Sequence, residues 1–499
     1  FIQDAAQPAT CTCHHCFPHP RTRPWRRQVS MSDLLRKHVG SKRETPPWKD
    51  VKFRCSFHNT IYDVLKARGF KETEAETDWD LFWCDKEWIH EDFDRTHLQP
   101  NQRVNHFRNH FELTRKDLLV KNIKRAQRQA LKDGLTEEAQ CFAACSPTTF
   151  VLPLEYSMFV EEFKKLQPSG AIWIMKPVGK SQGKGIFLFD KLSQVAGWRQ
   201  DPKWMMREDD KNKKRGKDEE QEEKSEPEPY VVQRYLSDPL LVGGKKFDLR
   251  LYVLVTSYNP LTVYMYRSGF ARFSHARFNM DASNLSDAMI HLTNVAVQKH
   301  NENYDEKRGG KWDLHSLKLY LMQTEEPEKV NQLFHAIQDV ILFSLLSVQK
   351  VMIQSKHCFE LYGYDIMIAK DFKPWLIEVN ASPSLSANTA ADYEMKFALL
   401  DDVLTILDFE NYLTGTETQI GGFDVLYRNG VRIGPPEKAA YRSYLGCINN
   451  RSEQLARLSQ SLWQEEDRRK QAAQAVVAPE VQKRKPQEGD ASRRPPMRV

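Results

Sequence analysis

A chain of 499 residues with 40% hydrophobic and 11% aromatic side chains can bury substantial cores, enough for roughly two or three packed domains. No apolar run approaches the roughly eighteen residues of a membrane-spanning helix, so membrane insertion is excluded as a reading. The net charge of +6 is modest for this length, so the placement of charge says more about partners than its total.

Residues 1–50 are rich in Pro and Arg and are expected to form a disordered leader. They contain no continuous apolar segment of the kind a secretory signal needs. Their CTCHHC cluster (Cys11, Cys13, His14, His15, Cys16) offers soft ligands, but not at zinc-finger spacing, and no second cluster closes a tetrahedral site. The other cysteines, of nine in all, are scattered and lack paired spacing, which suits a reducing compartment.

An N-terminal domain is expected over 51–150. Its surface should be basic, because nine Lys and Arg face three acids between Gln102 and Asp133. A central domain follows over 151–245, in which residues 171–189 read as strand, glycine-bearing loop and strand. Within it, residues 207–228 hold seven basic and ten acidic side chains and almost nothing apolar, the composition of a disordered insertion. A C-terminal domain is expected over 246–415. It holds a long hairpin, 245–258 and 261–274, turning at Asn259-Pro260, a helix at 331–353, and a second hairpin over 360–380 turning at Asp371-Phe372-Lys373. An extension over 416–464 and a charged, mostly disordered tail over 465–499 complete the chain.

Four stretches carry chemistry. In Trp173–Gly185, Lys176 ends a strand and Gly179, Gly183 and Gly185 lie in the loop that follows. Glycines let backbone N–H groups approach phosphates, and lysines supply charge. The spacing is one residue short of a P-loop, and a strand follows where a P-loop needs a helix. A flexible flap over a nucleotide fits the pattern. In GGKKFDLRLYVLV, Lys246, Asp248 and Arg250 alternate and share one strand face, while Phe247, Leu249 and Leu251 face a core. Such a face is either exposed with cross-strand ion pairs or turned toward a polyphosphate. In the second hairpin, Asp365, Glu378 and Asn380 offer hard oxygen ligands from adjacent strands, the usual donors for Mg²⁺ when water and phosphate complete the shell. HLTNVAVQK supplies Thr293, Asn294 and Lys299 at what reads as a strand-to-loop position; a cap or turn role serves Thr293 and Asn294 equally well. Together, cationic faces and an acidic hairpin are the parts of an ATP·Mg site.

The strings WIMKP, QGKGIFLF, QRYL, GGKKFDLRLYVLV, GFARFS, HLTNVAVQK, ELYGYDIMI and WLIEVNASPSL occur in an order that resembles the tubulin tyrosine ligase-like family. RVNHFRNHFELTRKDLLVKNIKR and the preceding DWDLFWCD resemble its N-terminal part. The resemblance spans roughly residues 51–415 and is greatest to the polyglutamylase branch. It implies an α+β fold of the ATP-grasp type with N-terminal, central and C-terminal domains. It also implies an ATP- and Mg²⁺-dependent ligase that adds free L-glutamate to the γ-carboxylate of glutamates in tubulin C-terminal tails, through an acyl phosphate. The family's motifs would place Lys176, Gln182, Gly183, Gln233, Arg234, Tyr235, Leu236, Lys246, Phe247 and Asp248 at ATP, with Gln182 also near the acceptor peptide. Arg272, Thr293, Asn294, Lys299, Ser382 and Lys396 would receive glutamate. Arg250, Arg272 and Lys299 would serve catalysis, and Asp365, Glu378 and Asn380 would hold Mg²⁺. The implied setting is cytoplasmic and cytoskeletal, at ciliary basal bodies and axonemes, with room for accessory subunits.

Two other readings stay open at this point: a tubulin glycine or tyrosine ligase, and a non-catalytic microtubule-binding subunit. Nucleic-acid binding through residues 102–133 is set aside, because only Phe107 and Phe111 interleave with the basic residues.

Overall fold

The computed structural model describes residues 50–180, 182–195, 229–281, 284–298, 310–387, 389–410 and 413–458. The expected leader (apart from Asp50), the 207–228 insertion, Lys299 and the 465–499 tail lie outside them.

Three sheets organise the chain. The first is parallel and pairs β1 (Lys52–Cys55), β2 (Lys71–Glu72), β3 (Leu81–Trp83) and β4 (Arg103–Val104) in the order β2-β1-β3-β4. The helix Thr60–Arg68 begins where the Asn59 side chain accepts the Ile61 N–H, and it stops at Gly69, whose φ of 82° suits glycine. The second sheet is antiparallel, with β5 (Thr149–Leu152), β6 (Trp173–Pro177), β7 (Phe187–Phe189) and β8 (Tyr230–Arg234) in the order β5-β8-β6-β7. Phe159 and Phe163 of the helix Tyr156–Leu166 pack against Trp173 and Phe189 of this sheet.

The third sheet has nine strands: β9 (Leu241–Val242), β10 (Lys245–Tyr258), β11 (Leu261–Phe273), β12 (Lys311–Asp313), β13 (Glu360–Ile368), β14 (Pro374–Asn380), β15 (Gln419–Ile420), β16 (Phe423–Arg428) and β17 (Val431–Arg432). Its main path runs β14-β13-β10-β11-β16-β15. Strand alternation assigns its faces. Leu249, Leu251, Val253 and Val255 share a core with Phe334, Ile337, Ile341 and Leu345 of the long helix Pro327–Gln349. Tyr252 and Leu254 face the other way and share a core with Leu399, Leu400, Val403 and Leu404 of the helix Ala390–Leu407. Lys246, Asp248 and Arg250 lie on this second face, at the other end of β10. There the apolar side chains give way to charged ones bordering open space.

Both hairpins form where the sequence puts them, and the long helix lies four residues earlier than expected, at Pro327–Gln349. HLTNVAVQK does not end a strand. Asp287 caps a short helix, Ala288–His291, by accepting the Met289 N–H, and a second turn of helix follows at Val295–Gln298. The 102–133 stretch is also less open than its composition suggests. Arg108 pairs with Asp94, Arg115 with Asp117 and Lys124 with Glu155. Among the described residues no helix is long and apolar enough to cross a membrane.

Candidate functional site

Two adjoining cavities open between the central sheet and the polar end of the large one. The inner cavity is lined by Lys176, Gln233, Tyr235, Lys246, His291 and Thr293 among others. The outer cavity is lined by Arg250, Arg272, Lys311, Asn380, Ser382 and Lys396 among others. Lys116, Lys180, Gln182, Asn294 and Glu378 border both.

Strand geometry turns two lysines into the inner cavity. Lys176 on β6 is 7% exposed and donates to Gln233 Oε1 at 2.7 Å across the β6–β8 ladder. Gln233 is held in turn by its Nε2, which donates to Thr149 Oγ1 at 2.9 Å. Lys246 on β10 is 2% exposed and donates to Tyr235 Oη at 2.8 Å and to the His291 carbonyl at 2.9 Å. Burial lowers the Lys246 ammonium to about 7 and the Lys176 ammonium to about 8. Neither has a carboxylate in direct contact among the described ion pairs. Both therefore stand ready for an anion that compensates their desolvation. Arg234 and Leu236 line the same cavity. Phe247 does not, because strand alternation turns its ring into the opposite core, against Phe273.

Next to the lysines runs a ladder of alternating charge. Asp248 and Arg272 face each other across β10–β11, as do Arg250 and Asp365 across β10–β13. Arg272 Nε lies 2.9 Å from Asp248 Oδ1, and its Nη2 lies 2.8 Å from Asp365 Oδ2. Arg250 grips Asp365 with Nε at 2.6 Å and Nη2 at 3.1 Å. Burial alone would raise the Asp365 carboxyl, but the two guanidiniums hold it well below the usual carboxylate range. Gly363 makes room for this grip: a Cβ there would sit 2.9 Å from Pro383 Cβ and 3.4 Å from Arg250 Cδ.

Glu378 stands opposite Asp365, and Asn380 opposite Gly363, so Asp365, Glu378 and Asn380 share one face. A bulge between Asp365 and Ile366 in this ladder brings the two carboxylates into register. Burial, and then the neighbouring Asp365 carboxylate, raise the Glu378 carboxyl. Two adjacent carboxylates and an amide are hard oxygen donors, and the repulsion between the acids is what a divalent cation relieves. The donor set therefore fits Mg²⁺ with water and phosphate filling its remaining positions. Among the described residues no group of three or more His, Cys, Asp and Glu offers a competing cage.

The glycine-bearing loop covers the boundary between the cavities. Gln182, Gly183 and Gly185 take φ of 62°, 80° and 72°. A Cβ on Gly183 would lie 2.8 Å from Val297 Cγ2, so glycine is needed for both its conformation and its close approach. Thr293 and Asn294 are brought to the cavities by the helical turns described above. Lys396 donates to Ser386 O at 2.6 Å and to Asp392 Oδ2 at 3.1 Å.

The structure adds residues that the sequence reading did not single out. Lys116, at the start of the helix Lys116–Lys132, donates to Lys180 O at 3.2 Å and lies 3.8 Å from Glu378 Oε2. Lys311 stands opposite Arg272 on β12 and pairs with Asp392 at 3.4 Å. Neither sits in a patterned motif. The one available signal was the density of basic residues around Lys116.

Paired cations and acidic oxygens around one cavity are the parts that phosphate chemistry requires. The pattern of the tubulin-tyrosine ligase family matches residues 95–417. "Probable tubulin polyglutamylase TTLL9" of Rattus norvegicus is 46% identical over 435 residues, covering 83% of this chain and 93% of the relative. "Probable alpha-tubulin polyglutamylase Ttll1" of Tetrahymena thermophila is 41% identical over 404 residues, covering 76% and 93%. "Tubulin polyglutamylase TTLL5" of Homo sapiens is 34% identical over 373 residues, covering 70% of this chain and 25% of the relative. The chain belongs to the tubulin-tyrosine ligase family.

Proposed function

We propose that this chain is a tubulin–glutamate ligase of ATP-grasp architecture, with N-terminal, central and C-terminal domains, that uses ATP and Mg²⁺. It joins free L-glutamate to the γ-carboxylate of glutamates in acidic tubulin C-terminal tails. The observation that carries the reading is the adjacency of two buried lysines, an arginine–aspartate ladder and a carboxylate pair at one cavity boundary. The names of the polyglutamylase relatives supply tubulin and glutamate.

In this reading Lys176, Lys246, Asp248 and the Gln233–Leu236 segment hold ATP, and Gln182 and Gly183 close over it. Phe247 contributes backbone alone. Asp365, Glu378 and Asn380 hold Mg²⁺, which would neutralise phosphate charge during transfer. The acceptor carboxylate, near Gln182, attacks the terminal phosphorus of ATP, the bond to the β-phosphate oxygen breaks, and ADP leaves as the acyl phosphate forms. The glutamate amine then attacks that carbonyl carbon, phosphate leaves, and an isopeptide bond forms. Such chemistry needs orientation and charge compensation rather than a nucleophilic side chain. Arg250 and Arg272 face the transferring group, and Arg272, Thr293, Asn294, Lys299, Ser382 and Lys396 receive glutamate. A tubulin substrate implies cytoskeletal work, and the family resemblance supports cilia as its setting.

The test is incorporation of labelled glutamate into tubulin by purified protein, with Glu378→Gln beside the wild type. The variant is expected to fold and to lose incorporation; robust incorporation by it removes Glu378 from the metal site.

A further inference from the structure

Ser382 lies in the turn after β14 and borders the outer cavity. The N-terminal part of the chain reaches it from behind, where His106 Nε2 is 3.4 Å from Ser382 Oγ. His106 is 2% exposed, and its Nδ1 lies 2.7 Å from Oε1 of the fully buried Glu360. The other Glu360 oxygen accepts the Phe107 N–H at 2.9 Å. The proposed reaction assigns a role to Ser382 but none to His106 or Glu360.

Asn105 sets the tautomer. Its Oδ1 accepts the Cys84 N–H at 2.8 Å and its Nδ2 donates to the Cys84 carbonyl at 3.2 Å, which fixes the two ends of the amide. The same Nδ2 lies 3.2 Å from His106 Nε2. Nε2 is therefore the lone-pair nitrogen, and Nδ1 carries the proton shared with Glu360. Ser382 can then donate its hydroxyl proton to Nε2, sharing that lone pair with Asn105 Nδ2, which leaves the oxygen lone pairs of Ser382 for a ligand. At 3.4 Å the bond is long, as site hydrogen bonds often are before a ligand is bound.

That orientation matters because cations predominate in the surrounding wall, whose acids Glu378 and Asp392 already face Lys116, Lys311 and Lys396. Arg250, Arg272, Lys311 and Lys396 suit carboxylates and repel an ammonium group. The turn is also fixed where Thr60 Oγ1 donates to Leu385 O at 2.7 Å and Lys396 to Ser386 O at 2.6 Å. An acceptor-presenting hydroxyl on a pinned turn is what an incoming amine requires there.

We propose that His106 is a positioning residue: by accepting the Ser382 hydroxyl, it presents Ser382 Oγ as an acceptor to the amino group of the incoming amino acid. This inference rests on the ligase reading, in which an amine enters the outer cavity.

The experiment measures glutamate affinity calorimetrically on the full chain with Mg²⁺ and a non-hydrolysable ATP analogue, and steady-state kinetics with tubulin. Ser382→Ala, His106→Phe, His106→Gln and the double variant Ser382→Ala/His106→Phe are compared. Losing this hydrogen bond is expected to weaken glutamate binding and raise its KM about tenfold in Ser382→Ala and His106→Phe. The KM for ATP stays unchanged and kcat moves little. His106→Gln, which offers an amide oxygen near Nε2, restores most of the affinity, and the double variant is no worse than either single one. Unchanged glutamate affinity in Ser382→Ala overturns the proposal even if His106→Phe fails to fold. Additive losses in the double variant overturn it too. A wild type that binds glutamate but transfers none contradicts the ligase reading alone, and one that binds none contradicts both.

Discussion

Glu378 faces Asp365 directly across the β13–β14 ladder, and burial together with that neighbouring carboxylate raises the Glu378 carboxyl. Asp365 is itself held ionised by Arg250 and Arg272. The ligand-free pair is therefore a site of like-charge repulsion that a divalent cation relieves. Glu378→Gln should leave the ligand-free melting temperature unchanged or higher. In the wild type a saturating Mg·ATP analogue raises stability, by about 2.7 kcal/mol at a hundredfold excess over Kd. The variant should lose most of that rise. Differential scanning with and without the analogue reads both effects, and an undiminished rise contradicts the assignment.

In the proposed ligase, Lys246 would link ATP binding to protons. Burial lowers its ammonium to about 7, so at pH 8 the ligand-free side chain is largely neutral. A bound phosphate favours the charged form, so binding at pH 8 takes up about one proton. Lys176, lowered to about 8, adds to this uptake. Affinity for the nucleotide then falls as pH rises above 7. Calorimetry in buffers of different ionisation enthalpy measures the uptake, which Lys246→Met should reduce. The same depression gives the ligand-free fold the opposite slope. Above pH 7 the unfolded chain binds more protons at this lysine, so its contribution to stability grows with pH toward the ordinary lysine range.

Gly363→Ala tests the packing beneath the arginine ladder. The added Cβ would come within 2.9 Å of Pro383 and 3.4 Å of Arg250. Overpacking of this kind costs about 1–3 kcal/mol. Because the displaced groups are the Ser382 turn and the Arg250 side chain, activity should fall more steeply than stability. A variant with lowered stability and full activity contradicts this.

Lys116 joins the flap to the carboxylate pair through Lys180 O and Glu378. Lys116→Ala should raise the KM for ATP about tenfold, the scale of one lost charge-assisted hydrogen bond, with little change in melting temperature. An unchanged KM assigns Lys116 to the helix surface alone.

Much of this site is legible in local sequence because a strand has a period of two. The alternation of Lys246, Asp248 and Arg250, and of Glu378 and Asn380, fixes which side chains share a face before any fold is known. The same rule turns Phe247 away from the cavity. What local pattern does not reveal is contact between distant segments. His106 meets Glu360 across 254 positions of chain, and Lys116 meets Lys180 across 64. Neither pair leaves a mark in any single motif. HLTNVAVQK misled for a different reason: an Asp287 cap and two helical turns override its β-branched composition.

The most direct measurement is mass spectrometry of tubulin C-terminal tail peptides after incubation with the purified chain, ATP, Mg²⁺ and an equimolar mixture of glutamate, glycine and tyrosine. Tail peptides should gain glutamate on internal glutamate side chains, in an ATP-dependent manner. Gain of glycine or tyrosine instead, or glutamate addition without ATP, would contradict the proposed ligase.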